Sequence, residues 1–139
     1  MSELAIDVQG LKRVYQSVGQ DVTALRDLDL QVGVGRFVAV KGRSGSGKTT
    51  LLNCLGGLDQ PTAGSIKIHG REITGLSEQQ LTEWRQREVG FIFQSFGLFP
   101  TLSAYENVEL MLRIGRIPRR ERKQRALECL ALVGLSKWV

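Results

Sequence analysis

Apolar positions recur along this chain in short runs whose spacing changes from two to about 3.6 residues. Residues 4–15 and 22–32 read as two strands. Val22, Ala24, Leu28, Leu30 and Val32 alternate imperfectly with polar neighbours, and Gly19-Gln20-Asp21 supplies the turn between the two. Phe37-Val38-Ala39-Val40 is a continuous apolar run and predicts a buried strand over 36–41. A helix is expected from about Lys48 to Leu58, followed by a turn over Asp59-Gln60-Pro61-Thr62-Ala63-Gly64. Ser65-Ile66-Lys67-Ile68-His69 alternates and predicts a half-buried strand with His69 at its end.

The second half is mostly helical in pattern. Ser77-Glu78-Gln79-Gln80 and Ser103-Ala104-Tyr105-Glu106 both have capping-box spacing, and open helices to about Glu88 and Ile114. Between them, Val89-Gly90-Phe91-Ile92-Phe93 predicts a short buried strand, with a loop on to Pro100. Pro118 suits the first turn of a last helix, in which Glu121 and Arg125 pair at i,i+4 and Leu127, Leu130 and Val133 form the apolar stripe.

The stretch from Gly42 to Thr49 adds chemistry to this pattern. Gly42-Arg43-Ser44-Gly45-Ser46-Gly47-Lys48-Thr49 fits G-x-x-x-x-G-K-[ST], between a strand-like run and a helix-like run. Glycines let the backbone approach phosphate oxygens with positive φ, and a helix N-terminus aims free N–H groups at the same anion. Lys48 should reach the β- and γ-phosphates as a point charge, and the Thr49 hydroxyl should ligate Mg²⁺.

Composition narrows the picture further. The chain has 139 residues, 42% apolar and 24% charged, enough for a domain with a real core. No apolar run is long enough to span a membrane, and the first residues lack the basic-then-apolar pattern of a signal peptide, so a cytoplasmic setting is expected. Cys54 and Cys129 read as buried small side chains on helix faces. His69, the single histidine, has no ligating cluster around it and makes no metal site. The net charge of +5 is concentrated in Arg113, Arg116, Arg119, Arg120, Arg122, Lys123 and Arg125. With no aromatic residues interleaved, that run reads as a solvated face, or one toward an acidic partner or lipid headgroups, and not as a nucleic-acid site.

Three features together resemble a known family. The phosphate loop, then Gln94 after a strand, then Tyr105-Glu106-Asn107-Val108, look like the ATP-binding subunit of ABC transporters. The runs Gly56 to Gly64 and Gly90 to Phe96 look like its lipoprotein-release and macrolide-export branch. The resemblance covers about Leu4 to Leu135. It implies an α/β fold: a P-loop NTPase core with an N-terminal antiparallel β subdomain and a helical subdomain, truncated before the last core strands. The first two parts would occupy about 1–94 and the helical subdomain about 95–139. It implies ATP and Mg²⁺ as ligands, with Gly42, Arg43, Ser44, Gly45, Ser46, Gly47, Lys48, Thr49 and Thr50 around the phosphates. Tyr15 would stack on adenine, and Gln94 would join Thr49 at the metal and sense the γ-phosphate. Phe96, Leu98 and Phe99 would help meet a membrane permease, and a second ATP-binding subunit would complete a dimer, peripheral on the inner face of the membrane. Arg43 departs from the family pattern, which commonly has Pro there.

The resemblance also implies elements that these residues do not include. The family's Leu-Ser-Gly-Gly-Gln signature, its strand ending in Asp-Glu and its late histidine have no counterpart here. The last Asp is Asp59, the one Gly-Gly pair is Gly56-Gly57, and the one His is His69. No complete catalytic set is therefore expected, with Lys48 and Gln94 contributing to it, and the 139 residues alone are expected to bind ATP without hydrolysing it. Without further sheet strands, 36–41 or 89–93 should expose an apolar edge. The alternative is a short nucleotide-binding or degenerate protein without hydrolysis. An unrelated GTPase is disfavoured, because no Asp-x-x-Gly follows the loop and neither Asn53 nor Asn107 precedes a Lys. A small kinase is disfavoured by the long strand-like lead before the loop.

Overall fold

A computed structural model of the protein describes residues 3–17, 19–95 and 97–137. The chain divides into two compact units, Met1–Arg85 and Gln86–Val139. The first is built on a four-stranded antiparallel sheet in the order β2-β1-β3-β4, with β1 Leu4–Tyr15, β2 Val22–Gly33, β3 Ala63–Ile68 and β4 Arg71–Glu72. Two helices complete it, α1 Lys48–Leu55 and α2 Glu78–Glu88, the second running on past the boundary.

Alternation places one face of the long hairpin β1–β2 in the core. Val8, Leu11, Leu25, Val32 and Ile66 are buried, together with Ile73, Leu51 and Cys54 of α1, and Leu81 and Trp84 of α2. Slips in register between Val8 and Val14 explain why the alternation of β2 is imperfect, since a bulge resets which face a side chain meets. Burial raises the Cys54 thiol to about 11, so it is a packing group and not a nucleophile.

The helix over 48–58 is shorter than its sequence suggests. It closes at Leu55 because Gly56 and Gly57 follow, and Gly57 takes φ +65° under Leu81 and Trp84. The second helix has its capping box: Ser77 Oγ accepts from the Gln80 amide at 3.3 Å, and the Ser77 amide donates to Gln80 Oε1 at 2.9 Å. β4 was not expected. His69 and Gly70, with φ +47° and +76°, make a two-residue turn that folds Arg71 back onto Ile68.

The predicted strands over 36–41 and 89–93 are not formed. A strand exists only through a ladder partner, and among the described residues neither run has one. Most of their apolar side chains stand in solvent, with Phe37 97% and Ile92 102% exposed, while Val89 and Phe91 are half-buried. The expected apolar edge strand is therefore absent, and what the two runs expose is apolar coil.

The second unit holds α3 Ala104–Ile114 and α4 Arg119–Leu132. The α3 capping box is complete: Ser103 Oγ accepts from the Glu106 amide at 3.2 Å, and the Ser103 amide donates to Glu106 Oε2 at 2.8 Å. Pro118 sits one position earlier than expected, at the α4 N-cap. Three other expectations for α4 need correction. Its buried stripe is Ala126 and Leu130, whereas Leu127 is 37% and Val133 68% exposed. Cys129 is exposed because it lies on the flank of that stripe. Glu121 contacts Arg120 at 3.5 Å and not Arg125, while Glu109 of α3 takes Arg113 at 3.0 Å and Arg122 at 3.5 Å.

Trp84→Ala should destabilise the protein by about 3–5 kcal/mol, read by denaturant unfolding, because a nearly fully buried aromatic is removed. Backbone and side-chain hydrogen bonds from Ser103 hold the Glu106 carboxylate below its usual range. Its folded pKa is depressed, so its contribution to the α3 cap is present above the unfolded-state pKa and is lost as pH falls through the folded value. An NMR carboxyl titration should place Glu106 below an ordinary glutamate, and Ser103→Ala should raise it only in part, because the Ser103 amide still donates to the carboxylate. The 139-residue chain alone should self-associate in sedimentation experiments, and Phe37→Lys with Ile92→Lys should reduce this; a monomer at all concentrations would contradict it.

Candidate nucleotide site

The site begins where the backbone turns from 37–41 into α1. Gly47 is the α1 N-cap and is left-handed, φ +86°. A Cβ there would lie 2.5 Å from the Ala24 carbonyl oxygen of β2, so only glycine lets the helix start against the sheet. Gly42 is less constrained, since its Cβ would meet Ser46 Oγ at 2.7 Å, a side-chain tip that can rotate away.

Lys48 follows as the first residue of α1. Its ammonium has three protons and three acceptors: the Gly42 carbonyl at 2.9 Å, the Arg43 carbonyl at 2.7 Å and Ser46 Oγ at 3.3 Å. The loop is thus wound around the cation. Lys48, Thr49 and Thr50 head the helix, where N–H groups have no intrahelical acceptor, and no side chain caps them. Free amides, a helix N-terminus and a fixed ammonium at one spot make an anion site. Arg43, Ser44 and Gly45 are exposed around it.

The donor set fits Mg²⁺ only as a partner of phosphate. Among the described residues no group of three His, Cys, Asp or Glu could hold a metal ion. Thr49 is exposed beside Lys48 and would offer one hydroxyl oxygen, leaving water and phosphate oxygens for the other positions.

Tyr15 ends β1 in the same unit and is 37% exposed. Its hydroxyl donates to Asp59 Oδ2 at 2.6 Å. Arg13, two residues earlier on the same strand face, contacts both Asp59 oxygens, at 2.6 Å and 3.1 Å, and lays its guanidinium 4.5 Å from the centre of the Tyr15 ring. Burial disfavours the Arg13 charge, but the contacts with Tyr15 and Asp59 outweigh it and raise its pKa. Sequence reading found Tyr15 and missed the other two. Arg13 was legible as the i−2 neighbour on one strand face, but Asp59 reads locally as a turn residue and nothing near it points to β1.

Gln94 lies in the second unit, exposed, after the unpaired run in which the Phe91 and Phe93 rings stack 5.5 Å apart. The same unit carries an apolar groove of about 700 Å³, lined by Leu98, Phe99, Met111, Leu130 and Val133 among others. Leu98 and Phe99 are both exposed, and Phe96 lies outside the described residues. The Asn107 side chain holds the loop at the groove's rim: it accepts from the Phe99 amide at 2.9 Å and donates to the carbonyls of Phe99, Leu102 and Ser103 at 3.0–3.1 Å.

Comparison with known proteins bears out the resemblance. The family model described as ABC transporter matches residues 25–139. The lipoprotein-releasing system ATP-binding protein LolD of Chromohalobacter salexigens is 46% identical over 135 residues, 97% of this chain and 57% of that protein. The methionine import ATP-binding protein MetN of Symbiobacterium thermophilum is 43% identical over 94% of this chain and 39% of that protein. The chain therefore spans about half the length of the curated relatives it matches, or less. A solved ATP-binding cassette, a dimer in a post-hydrolysis state bound to ADP and Pi, superposes with a TM-score of 0.85 at 38% identity, covering 93% of this chain and 57% of that one. With its phosphate loop, its sheet and its helices matched in this way, the chain belongs to the ABC transporter family.

Proposed function

We propose that this chain is the ATP-binding part of a transport ATPase, that it binds MgATP through residues 42–50, and that nucleotide binding powers a membrane permease of the release or export type. The observation that carries the reading is the Lys48 ammonium, saturated by loop oxygens at the uncapped head of α1. That places the charge within the loop that the phosphates would enter, and binding exchanges some of the loop oxygens on the ammonium for β- and γ-phosphate oxygens. Thr49 supplies one oxygen to the metal and Gln94 another when γ-phosphate is present. Tyr15 gives adenine a flat surface to stack on.

The partners follow from the same reading. The permease docks on the second unit, where the groove edged by Leu98 and Phe99 presents apolar surface held in shape by Asn107. A second ATP-binding subunit completes the hydrolytic site, and the protein works on the inner face of the membrane through its permease. The similarity to LolD supports the release type. Hydrolysis needs a carboxylate to position water, and residues 1–139 hold none that the reading can assign to that role. The role assigned to these residues is therefore the grip on the nucleotide.

Saturating MgATP should stabilise the intact protein by about 2.7 kcal/mol at a hundredfold excess over Kd. Lys48→Ala should abolish this shift, measured against the variant's own nucleotide-free melting temperature, since the variant also loses three loop hydrogen bonds. An unchanged shift in that variant would overturn the assignment of the loop.

A further inference from the structure

We propose that Asp59 is a positioning residue for the nucleotide base: its carboxylate fixes the Tyr15 ring, with Arg13 covering one face, so that the base stacks on the other. The inference rests on the nucleotide reading above and deepens it. Tyr15 stands at the end of a strand, where an exposed ring would ordinarily sample several rotamers. Here its hydroxyl is tied to Asp59 Oδ2 at 2.6 Å, a charge-assisted bond of short length. The guanidinium of Arg13 lies over the same ring at 4.5 Å and is itself held by both oxygens of Asp59. One carboxylate therefore sets the ring's direction and also occupies one of its faces through Arg13.

Asp59 is in turn fixed to the helix that starts at the phosphate loop. The Leu58 and Asp59 amides both donate to the Asn53 carbonyl of α1, at 2.8 Å and 3.2 Å. Farther along, the Thr62 amide donates to the Lys12 carbonyl at 2.7 Å, and the Val14 amide donates to Thr62 Oγ1 at 2.9 Å. Residues 58–62 thus lace the end of α1 to the end of β1. The base platform on β1 and the phosphate site at the head of α1 become parts of one rigid piece, spaced by a helix of eight residues. A nucleotide meeting a ring already immobilised loses less conformational freedom on binding.

The test measures binding to the intact protein by titration calorimetry with two probes, MgATP and magnesium tripolyphosphate, the second lacking a base. Tyr15→Phe deletes only the hydroxyl, and Asp59→Ala deletes the carboxylate. Each should weaken MgATP binding about three- to tenfold, the range set by releasing one immobilised side chain. Neither should change tripolyphosphate binding, and the double variant should be no weaker than the weaker single variant, because both remove one tether. Unchanged MgATP affinity in Tyr15→Phe and Asp59→Ala would overturn the inference. So would equal losses for both probes, which would make Asp59 a general support of the fold, or losses that multiply in the double variant. Lys48→Ala separates this from the underlying reading. If it loses both probes, the phosphate loop stands whatever the tether does. If it binds both as before, the nucleotide reading falls and the inference with it.

Discussion

The left-handed backbone at Gly47 is the constraint on which the rest of the first unit depends. It lets α1 begin against the Ala24 carbonyl of β2, with no side chain between helix and sheet. That contact gives the helix its place: Leu51 and Cys54 then fall on the buried side, while Lys48 and Thr49 remain at the open end. A side chain at Gly47 would strain φ and push the helix off the sheet at once, so packing and anion binding share one residue. The same economy appears at the other end of α1. Gly57 turns under Leu81 and Trp84, and the chain leaves toward Asp59 and β1.

What was legible in the sequence is what local chemistry determines. The hairpin, both capping boxes and the whole loop from Gly42 to Thr50 depend on residues within a few positions of one another, and they stand where the pattern put them. The misses have a different origin. A continuous apolar run such as 36–41 or 89–93 states that its side chains avoid water, not that a partner strand lies beside it. The α4 stripe was right at Leu130 and wrong at Leu127 and Val133, because periodicity fixes the spacing of a buried face but not its rotation, and Ala126 is buried instead. Asp59 was invisible for a third reason. Its partners, Arg13 and Tyr15, are more than 40 residues away, and only the fold brings them together.

The two units place their polar contacts differently. In the first, polar contacts are dense where the nucleotide would bind: the Lys48 cradle, the Tyr15–Asp59–Arg13 tether and the Thr62 bonds to β1. In the second, polar contacts brace a surface that is itself apolar. Asn107 spends its amide on three carbonyls and one N–H of the loop 97–103, and Glu109 holds Arg113 and Arg122. Such bracing keeps Leu98 and Phe99 at the rim of the groove despite their exposure, which is costly in water unless a partner covers it.

These two patterns explain how a nucleotide could act on a membrane partner without the binding residues touching it. The phosphate loop already surrounds one ammonium, so on the proposed function a bound phosphate would exchange contacts with the loop oxygens. That function also needs a group whose contacts differ between nucleotide states. Gln94 is suited to that difference: it is exposed, and it follows a run of backbone that no sheet among the described residues holds. On the proposed function, a side chain outside any ladder would be captured by γ-phosphate and Mg²⁺ and released when they leave. Gln94 and the groove-lining loop belong to one unit and are separated by only a few residues, so on the proposed function a displacement of one would reach the other through the backbone.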